Sequence, residues 1–177
     1  PSLDYELIKM PKELSGAFVC CKVQFKNSAE IFFISIYGDL DFDPFFSVFA
    51  GQIALAVTYL RTTLQAEHIV LAGDFNADRR MDDNPTGTRF SRRGERVTNL
   101  FFDSILNIGF VDCLKIAYPE FVQTHKNNRS NYPWQIDHLF ISEGLPIPKI
   151  EVRNSNELNG LSDHYPIIAD FPNFSAE

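Results

Sequence analysis

Cysteine is scarce in this sequence, and no motif is built on it. The three cysteines are Cys20, Cys21 and Cys113, an odd number without the spacing of a disulfide framework or of a Cys/His zinc site. This pattern excludes the small disulfide-stapled scaffolds of secreted proteins and the zinc-finger modules. We therefore expect buried, reduced thiols and a reducing compartment such as the cytoplasm.

Long apolar runs and an excess of positive charge are also missing. No apolar run approaches the ~20 residues of a membrane-spanning helix, so we predict no membrane contact. Lysine and arginine together number 16 against 23 aspartates and glutamates, which gives a net charge of −7. A chain with this balance is not expected to coat nucleic acid with its whole surface.

One segment departs from the acidic balance. Residues 79–96 hold six of the nine arginines but only three acidic residues, a local balance of +3. Two interpretations stay open for this segment: a basic island that steers a polyanion to one place, or a solvated loop without function. The arginines are Arg79, Arg80, Arg89, Arg92, Arg93 and Arg96.

Hydrophobic periodicity predicts strands that alternate with helices. The predicted strands cover residues 17–26, 30–37, 68–73, 135–142, 149–153 and 164–171. The predicted helices cover residues 44–65 and 95–108, with a polar loop over 79–94 between strand and helix. Asp43 and Pro44 suit the start of the first helix, and Gly109 suits the end of the second. Strand, helix and strand in this order predict a βαβ unit, and hence one α/β domain with mixed sheets.

Each predicted helix has one apolar face that should pack on the sheet. On the first helix the face consists of Phe45, Phe49, Ile53, Val57, Leu60 and Leu64. On the second helix it consists of Val97, Leu100, Phe101, Ile105 and Ile108.

The first motif with chemical potential is Gly73-Asp74-Phe75-Asn76, directly after a buried strand. Asp74 and Asn76 are two residues apart, so in an extended chain both side chains project to the same side. A carboxylate can take a proton from water, and an amide can donate a hydrogen bond to an oxygen that gains charge. Asp and Asn are also common in ordinary strand-end turns, so this motif alone is moderately specific.

Two further motifs place acids beside histidines at strand ends. In Ser162-Asp163-His164 the adjacent side chains diverge, so that Asp163 can face a hard cation while His164 faces the scissile group. Asp137 lies in an apolar strand and needs a partner, for which we propose His164. The neighbouring His138 points to the other face of that strand and is interpreted as structural.

The strings GDFNAD, WQIDHLFIS and LSDHYPI, in this order, resemble the endonuclease/exonuclease/phosphatase superfamily with the deoxyribonuclease I-like fold. The resemblance covers residues 30–171 and implies a four-layer α/β sandwich of two mixed β-sheets flanked by helices. It also implies a phosphodiesterase that uses Mg²⁺ or Mn²⁺ to activate a water for in-line attack. Within the superfamily we expect a nuclease that acts on DNA.

The resemblance also implies residue roles. Asp74 and Asn76 would orient the water, Asp163 would bind the metal, and His164 with Asp137 would act as general acid or base. Tyr37, after Ile-Ser-Ile, matches the tyrosine that hydrogen-bonds the phosphate. His125 would be a second phosphate contact. Independently of the resemblance, the basic segment follows the Asp74 motif directly, so we expect Arg79, Arg89, Arg92 and Arg93 to contact the flanking substrate phosphates.

The sequence departs from the family pattern before Tyr37. The family begins with a strand that bears an asparagine and a strand that ends in Gln-Glu, whose glutamate binds the metal. Glu6, Glu13 and Glu30 lack that context. We therefore expect residues 1–177 to be a single domain that forms the C-terminal two-thirds of the family fold, with the first strands supplied by a longer natural protein.

Two alternatives stay open. One is a phosphomonoesterase or phospholipase of the same superfamily, acting on an inositol phosphate or a sphingolipid. The other is a non-catalytic remnant that binds phosphate ligands. A missing metal ligand favours the remnant, whereas the intact acids and histidine favour an enzyme.

Overall fold

A computed structural model describes residues 4–14, 18–25, 29–38, 46–83, 97–126, 132–154 and 161–172. Its strands are β1 (Asp4–Ile8), β2 (Phe18–Gln24), β3 (Glu30–Tyr37), β4 (His68–Asp74), β5 (Phe110–Asp112), β6 (His125–Lys126), β7 (Pro133–Trp134), β8 (Asp137–Ser142), β9 (Lys149–Val152) and β10 (Ile167–Asp170). Its α-helices are α1 (Ser47–Thr63), α2 (Val97–Asn107) and α3 (Cys113–Ala117), and short 3₁₀ helices cover Lys12–Leu14 and Arg79–Asp83. None of the described helices is long and apolar enough to cross a membrane.

The largest sheet is mixed and has the strand order β1-β2-β3-β4-β8-β5 among the described residues. The β3–β4 pair is parallel, and α1 connects these two strands, which confirms the predicted βαβ unit. The other pairs of this sheet are antiparallel. The chain therefore has the mixed α/β fold class that the sequence predicts.

Helices α1 and α2 cover one face of this sheet and form the larger part of the core. The predicted face of α1 is buried where it is described, through Phe49, Ile53, Val57 and Leu60, with Leu64 partly buried. On α2, Phe101 and Ile105 are buried as predicted, but Leu100 is 65% exposed. Phe102, which the predicted face omits, is fully buried in its place.

The antiparallel pair of β9 and β10 covers the other face of the large sheet. Ile31, Val70 and Leu139 of the large sheet pack there against Val152 and Ile167. The described residues thus place a helical layer, a mixed sheet and part of a second sheet in succession. The described pair of the second sheet is antiparallel.

Several elements escaped the sequence analysis. The strands β1 and β5, the short helix α3 and the β6–β7 pair were not predicted, because each is too short or too polar to show clear periodicity. The predicted polar loop over 79–94 begins as a 3₁₀ helix. Its remainder and the proposed cap at Asp43 and Pro44 lie outside the described residues.

Candidate active site at the strand ends

Three neighbouring strands end at one edge of the large sheet with polar residues in register. Tyr37 at the end of β3 pairs with Asp74 at the end of β4, and Asp74 pairs with Asp137 at the start of β8. Cross-strand partners present their side chains on the same face, so the sheet register itself brings these three residues together. Tyr37 is 60% exposed, so it is not a core residue and its hydroxyl is accessible.

Two glycines allow the strand ends to approach this closely. Gly73 has a φ of 139°, and a Cβ on it would lie 2.1 Å from the carbonyl oxygen of Ile36. A Cβ on Gly38 would lie 2.4 Å from the carbonyl oxygen of Phe75. Any larger residue at either position would push the β3 and β4 ends apart.

Asn76 is held in a tight turn rather than in the extended chain assumed from the sequence. Its φ is 50°, its backbone N–H donates to Oδ1 of Asp74 at 2.8 Å, and its side-chain Nδ2 donates to the Gly38 carbonyl at 2.7 Å. The prediction that Asp74 and Asn76 project to the same side of an extended strand is therefore wrong. The turn nevertheless keeps the amide of Asn76 next to the Asp74 carboxylate.

The predicted pairing of Asp137 with His164 is confirmed. Both carboxylate oxygens of Asp137 lie 3.0 Å from Nδ1 of His164. This contact fixes the ring and leaves Nε2 of His164 facing Asp74, whose Oδ2 lies 3.9 Å away. One imidazole therefore bridges the two carboxylates of the strand ends.

Burial shifts the protonation of this group of residues. It raises the pKa of Asp74 to about 6, against the hydrogen bond from Asn76 and with help from the charge of Asp137. Burial also disfavours the charged form of His164, but the hydrogen bond that its Nδ1 donates to Asp137 and the surrounding carboxylates outweigh it and raise the pKa of His164. Both shifts favour the protonated form of the group concerned.

His125 and Asp163 complete the cluster. Nε2 of His125 lies 3.6 Å from Oδ2 of Asp163, and the rings of His125 and His164 are 4.7 Å apart. Burial, together with the charge of His164, lowers the pKa of His125. Hence the structure gathers seven of the predicted site residues at one edge: Tyr37, Asp74, Asn76, His125, Asp137, Asp163 and His164.

The predicted arginines are not part of this cluster as described. The guanidinium of Arg79 contacts Asp103 at 3.4 Å and lies over the ring of Phe102 at 4.7 Å, so it is engaged with α2. Arg89, Arg92 and Arg93 lie outside the described residues, and their role stays a prediction. His138 is buried, and its Nε2 lies 2.8 Å from the Ala77 carbonyl, in agreement with the structural role expected for it.

Two positioning residues were missed in the sequence. The hydroxyl of Thr124 is buried and accepts hydrogen bonds from the backbone N–H groups of Ile136 and Asp137, both at 3.1 Å. The buried carboxylate of Asp78 accepts from the backbone N–H of Gln135 at 2.9 Å and from the guanidinium of Arg80. Together they anchor the segment that leads into Asp137. The only local signals for these two residues in the sequence are the Thr-His and Asn-Ala-Asp strings.

The donor groups of this edge fit a hydrated hard cation. Mg²⁺ prefers oxygen ligands and keeps several waters, so one or two carboxylates suffice to hold it. Asp163 offers a carboxylate that is 60% exposed, and Asp74 offers a second one in the same cluster. Glu6 and Glu30 both form ion pairs with Lys22 on β2, so neither replaces the glutamate of the family pattern.

Solved structures with the same fold come from DNA-processing enzymes. An AP endonuclease from Archaeoglobus fulgidus matches with a TM-score of 0.62 and 19% identity, over 97% of this chain and 70% of the other. A 3′ phosphatase from Neisseria, bound to a product DNA hairpin, matches with a TM-score of 0.64 and 21% identity, over 96% and 70%. The endonuclease domain of a telomere-specific non-LTR retrotransposon matches with a TM-score of 0.61 and 16% identity, over 96% and 69%.

Comparison at the sequence level identifies the family. No curated protein matches the sequence. The family model described as Endonuclease/Exonuclease/phosphatase family matches residues 31–164, which is most of the chain and includes the motifs at Asp74, Asp137 and Asp163. The superfamily comprises nucleases and phosphatases, so the resemblance predicted from the motifs is confirmed. This chain belongs to the endonuclease/exonuclease/phosphatase family.

Proposed function

We propose that this protein is a divalent-metal-dependent phosphodiester hydrolase, and specifically a nuclease that acts on DNA. The observation that carries the proposal is the imidazole of His164, which is held by Asp137 at 3.0 Å and faces Asp74 at 3.9 Å at the edge of one sheet. Such a charged, half-buried group of two acids and a histidine costs stability, which is typical of functional sites.

Each residue has a task that its contacts support. Asp74, with a pKa of about 6, is largely ionised at neutral pH and accepts the proton of the attacking water. Asn76 keeps one amide N–H on the Gly38 carbonyl and has a second one for an oxygen of the phosphate. Tyr37, exposed beside Asp74, offers its hydroxyl to the same phosphate.

His164 provides the positive charge of the site. Its Nδ1 contact with Asp137 fixes the tautomer and favours the protonated ring, so that Nε2 donates a hydrogen bond to a phosphate oxygen that gains charge. His125 packs beside it and stands ready as a further phosphate contact. Thr124 and Asp78 act through the backbone of the Asp137 segment and are positioning residues.

The metal would be held by Asp163, with Asp74 near enough to contribute. When bound, Mg²⁺ or Mn²⁺ would offset charge on the phosphoryl oxygens. The carboxylates of Asp163 and Asp74 are hard oxygen ligands, and one or two such protein ligands suffice for these ions.

Two observations support nucleic acid as the proposed substrate: the kinds of enzyme among the similar solved structures and the positive charge of residues 79–96. One neighbour in structure is bound to a DNA hairpin, and another is an AP endonuclease. The arginine-rich segment 79–96 follows the Asp74 strand directly, so Arg89, Arg92 and Arg93 are close in sequence to the cleavage site. Arginines there would hold the flanking backbone phosphates.

A nuclease assay on the full-length protein tests this proposal. The protein should cut linear duplex DNA in MgCl₂ or MnCl₂, and EDTA should abolish the cleavage. His164→Ala and Asp163→Ala should each lower the rate at least about 100-fold. His68→Ala, at the opposite end of β4, and Asp170→Ala, exposed on β10, are matched controls and should change it little.

Each outcome bears on the proposal. Metal-independent cleavage, or robust cleavage by His164→Ala, contradicts the assigned roles. Release of phosphate from 3′-phosphorylated DNA without cutting of internal bonds would favour the alternative of a phosphomonoesterase. Absence of any hydrolysis by the full-length protein would favour the non-catalytic remnant.

A further inference from the structure

One edge of the candidate active site carries more nitrogen donors than magnesium chemistry needs. A ligand atom from each of His125, Asp163 and His164 lies within 4.8 Å of the other two. Magnesium selects oxygen ligands, whereas imidazole suits Zn²⁺, Cu²⁺, Fe²⁺ and Ni²⁺. Two imidazoles and a carboxylate are therefore a donor set for a different class of cation.

The backbone fixes these three residues relative to each other. His125 and His164 form an antiparallel β-bridge, so their rings lie side by side. The N–H of Lys126 donates to the carbonyl of Asp163 at 2.7 Å, and the N–H of Tyr165 donates to the carbonyl of Thr124 at 2.7 Å. Strand pairing thus fixes the backbone positions of the three residues relative to each other.

His164 is already oriented as a metal-bound histidine is. Its Nδ1 is held by both carboxylate oxygens of Asp137, which leaves the lone pair of Nε2 available in the neutral ring. A carboxylate that accepts a hydrogen bond from a histidine ligand fixes its tautomer and raises its basicity, and zinc-bound histidines usually have such a partner.

His125 is placed to act as a second nitrogen ligand. Its Nδ1 is buried without a hydrogen-bond partner in the described part of the chain, and its Nε2 faces Oδ2 of Asp163 at 3.6 Å. A tetrahedral site with bonds of about 2.0–2.1 Å requires ligand atoms about 3.3–3.4 Å apart. The His125–Asp163 pair is close to that spacing, and the exposed Asp163 side chain has room to close the remainder.

We infer that His125, Asp163 and His164 form a binding site for zinc. The ion would be bound by Nε2 of His164, Nε2 of His125 and a carboxylate oxygen of Asp163, with water in the fourth position. Zinc binding needs only these residues and does not depend on the proposed function. The effect of zinc on activity does rest on the proposed function. Zinc would occupy the Nε2 of His164 that the proposed hydrolysis uses, so the bound ion would inhibit the nuclease.

Cobalt substitution tests the site without nucleic acid, magnesium or an activity readout. The metal-free protein should bind one equivalent of Co²⁺ with the visible d–d absorption of a tetrahedral nitrogen and oxygen site. Zn²⁺ should displace that Co²⁺ stoichiometrically, and excess MgCl₂ should not. A strong thiolate-to-cobalt band in the near ultraviolet would place the metal on a cysteine instead and overturn the inference.

Variants assign the ligands. His125→Gln and Asp163→Asn should each weaken Zn²⁺ binding at least about 10-fold, whereas His68→Gln, a histidine outside the cluster, should bind as the parent does. Equal affinity in His125→Gln overturns the inference. If that variant misfolds, NMR on the parent decides: Zn²⁺ should shift the ring signals of His125 and His164 but not those of His68, and the opposite pattern contradicts the site.

Discussion

Asp74 and Asp137 stand directly opposite each other in the β4–β8 register, and the imidazole of His164 lies against both carboxylates. Two acids at paired positions repel each other unless a positive charge lies between them. The protonated ring of His164 supplies that charge.

The first prediction concerns the charge on His164. Replacing Asp137 by Asn removes the partner that raises the pKa of His164, so that pKa should fall. A titration of the ring C–H signals by NMR in the metal-free protein measures it. Glu151→Gln, exposed on β9, is the control and should leave the titration of His164 unchanged. An unaltered pKa in Asp137→Asn would contradict the assigned pairing.

The second prediction concerns stability and pH. Because burial raises the pKa of Asp74 to about 6, the folded state holds that proton more tightly, and the resulting stability is lost as the pH rises through about 6. Asp74→Asn avoids this loss and should be more stable than the parent by about 1–2 kcal/mol at pH 8, with little difference near pH 4. Urea unfolding in EDTA measures both.

The control for this stability effect is Asp170→Asn on the exposed edge of β10, which should show no such pH dependence. If Asp74→Asn were equally stable or less stable at pH 8, the charge on Asp74 would not be the unfavourable group that we infer.

The third prediction concerns the buried anchor at Asp78. Asp78→Ala leaves the guanidinium of Arg80 and the N–H of Gln135 without their acceptor, so we expect a loss of about 3 kcal/mol in the free energy of unfolding. Asp103→Ala removes the exposed partner of Arg79 and should cost under about 0.5 kcal/mol. Similar losses in the two variants would show that Asp78 is no anchor.

The fourth prediction concerns the close approach of β3 and β4. Gly73→Ala places a Cβ 2.1 Å from the Ile36 carbonyl oxygen at a φ of 139°, so it should destabilise by more than about 2 kcal/mol. Gly51→Ala lies in α1 with nothing within 4 Å of its Cβ, and should instead stabilise by about 0.5–1 kcal/mol. Thermal unfolding of the two variants checks this contrast in sign.

The residues that the sequence could predict are those with a local pattern. Asp74 follows a fully apolar strand, and Asp163 and His164 precede another, so their motifs alone place them at strand ends. The sequence could not predict Thr124 and Asp78, because their contacts reach 13 and 57 residues along the chain and leave no periodicity.

The helix α2 shows the same limit. Asp82 binds the backbone N–H groups of Thr98 and Asn99 at its start, across what the sequence presented as a polar loop. Its buried side includes Phe102 rather than Leu100, because packing against both the sheet and the 3₁₀ helix decides which face turns inward. Hydrophobic periodicity alone predicts that such a helix exists more reliably than it predicts which side of the helix is buried.

The central claim is that Asp137 and His164 act as one unit in phosphodiester cleavage, and a double-mutant cycle on the full-length protein tests it most directly. Rates of DNA cleavage in MgCl₂ would be measured for the parent, Asp137→Asn, His164→Ala and the double variant. Residues that work only through each other give non-additive losses, so the double variant should be no slower than His164→Ala alone. Losses that multiply would show that the two residues act independently and would contradict the account.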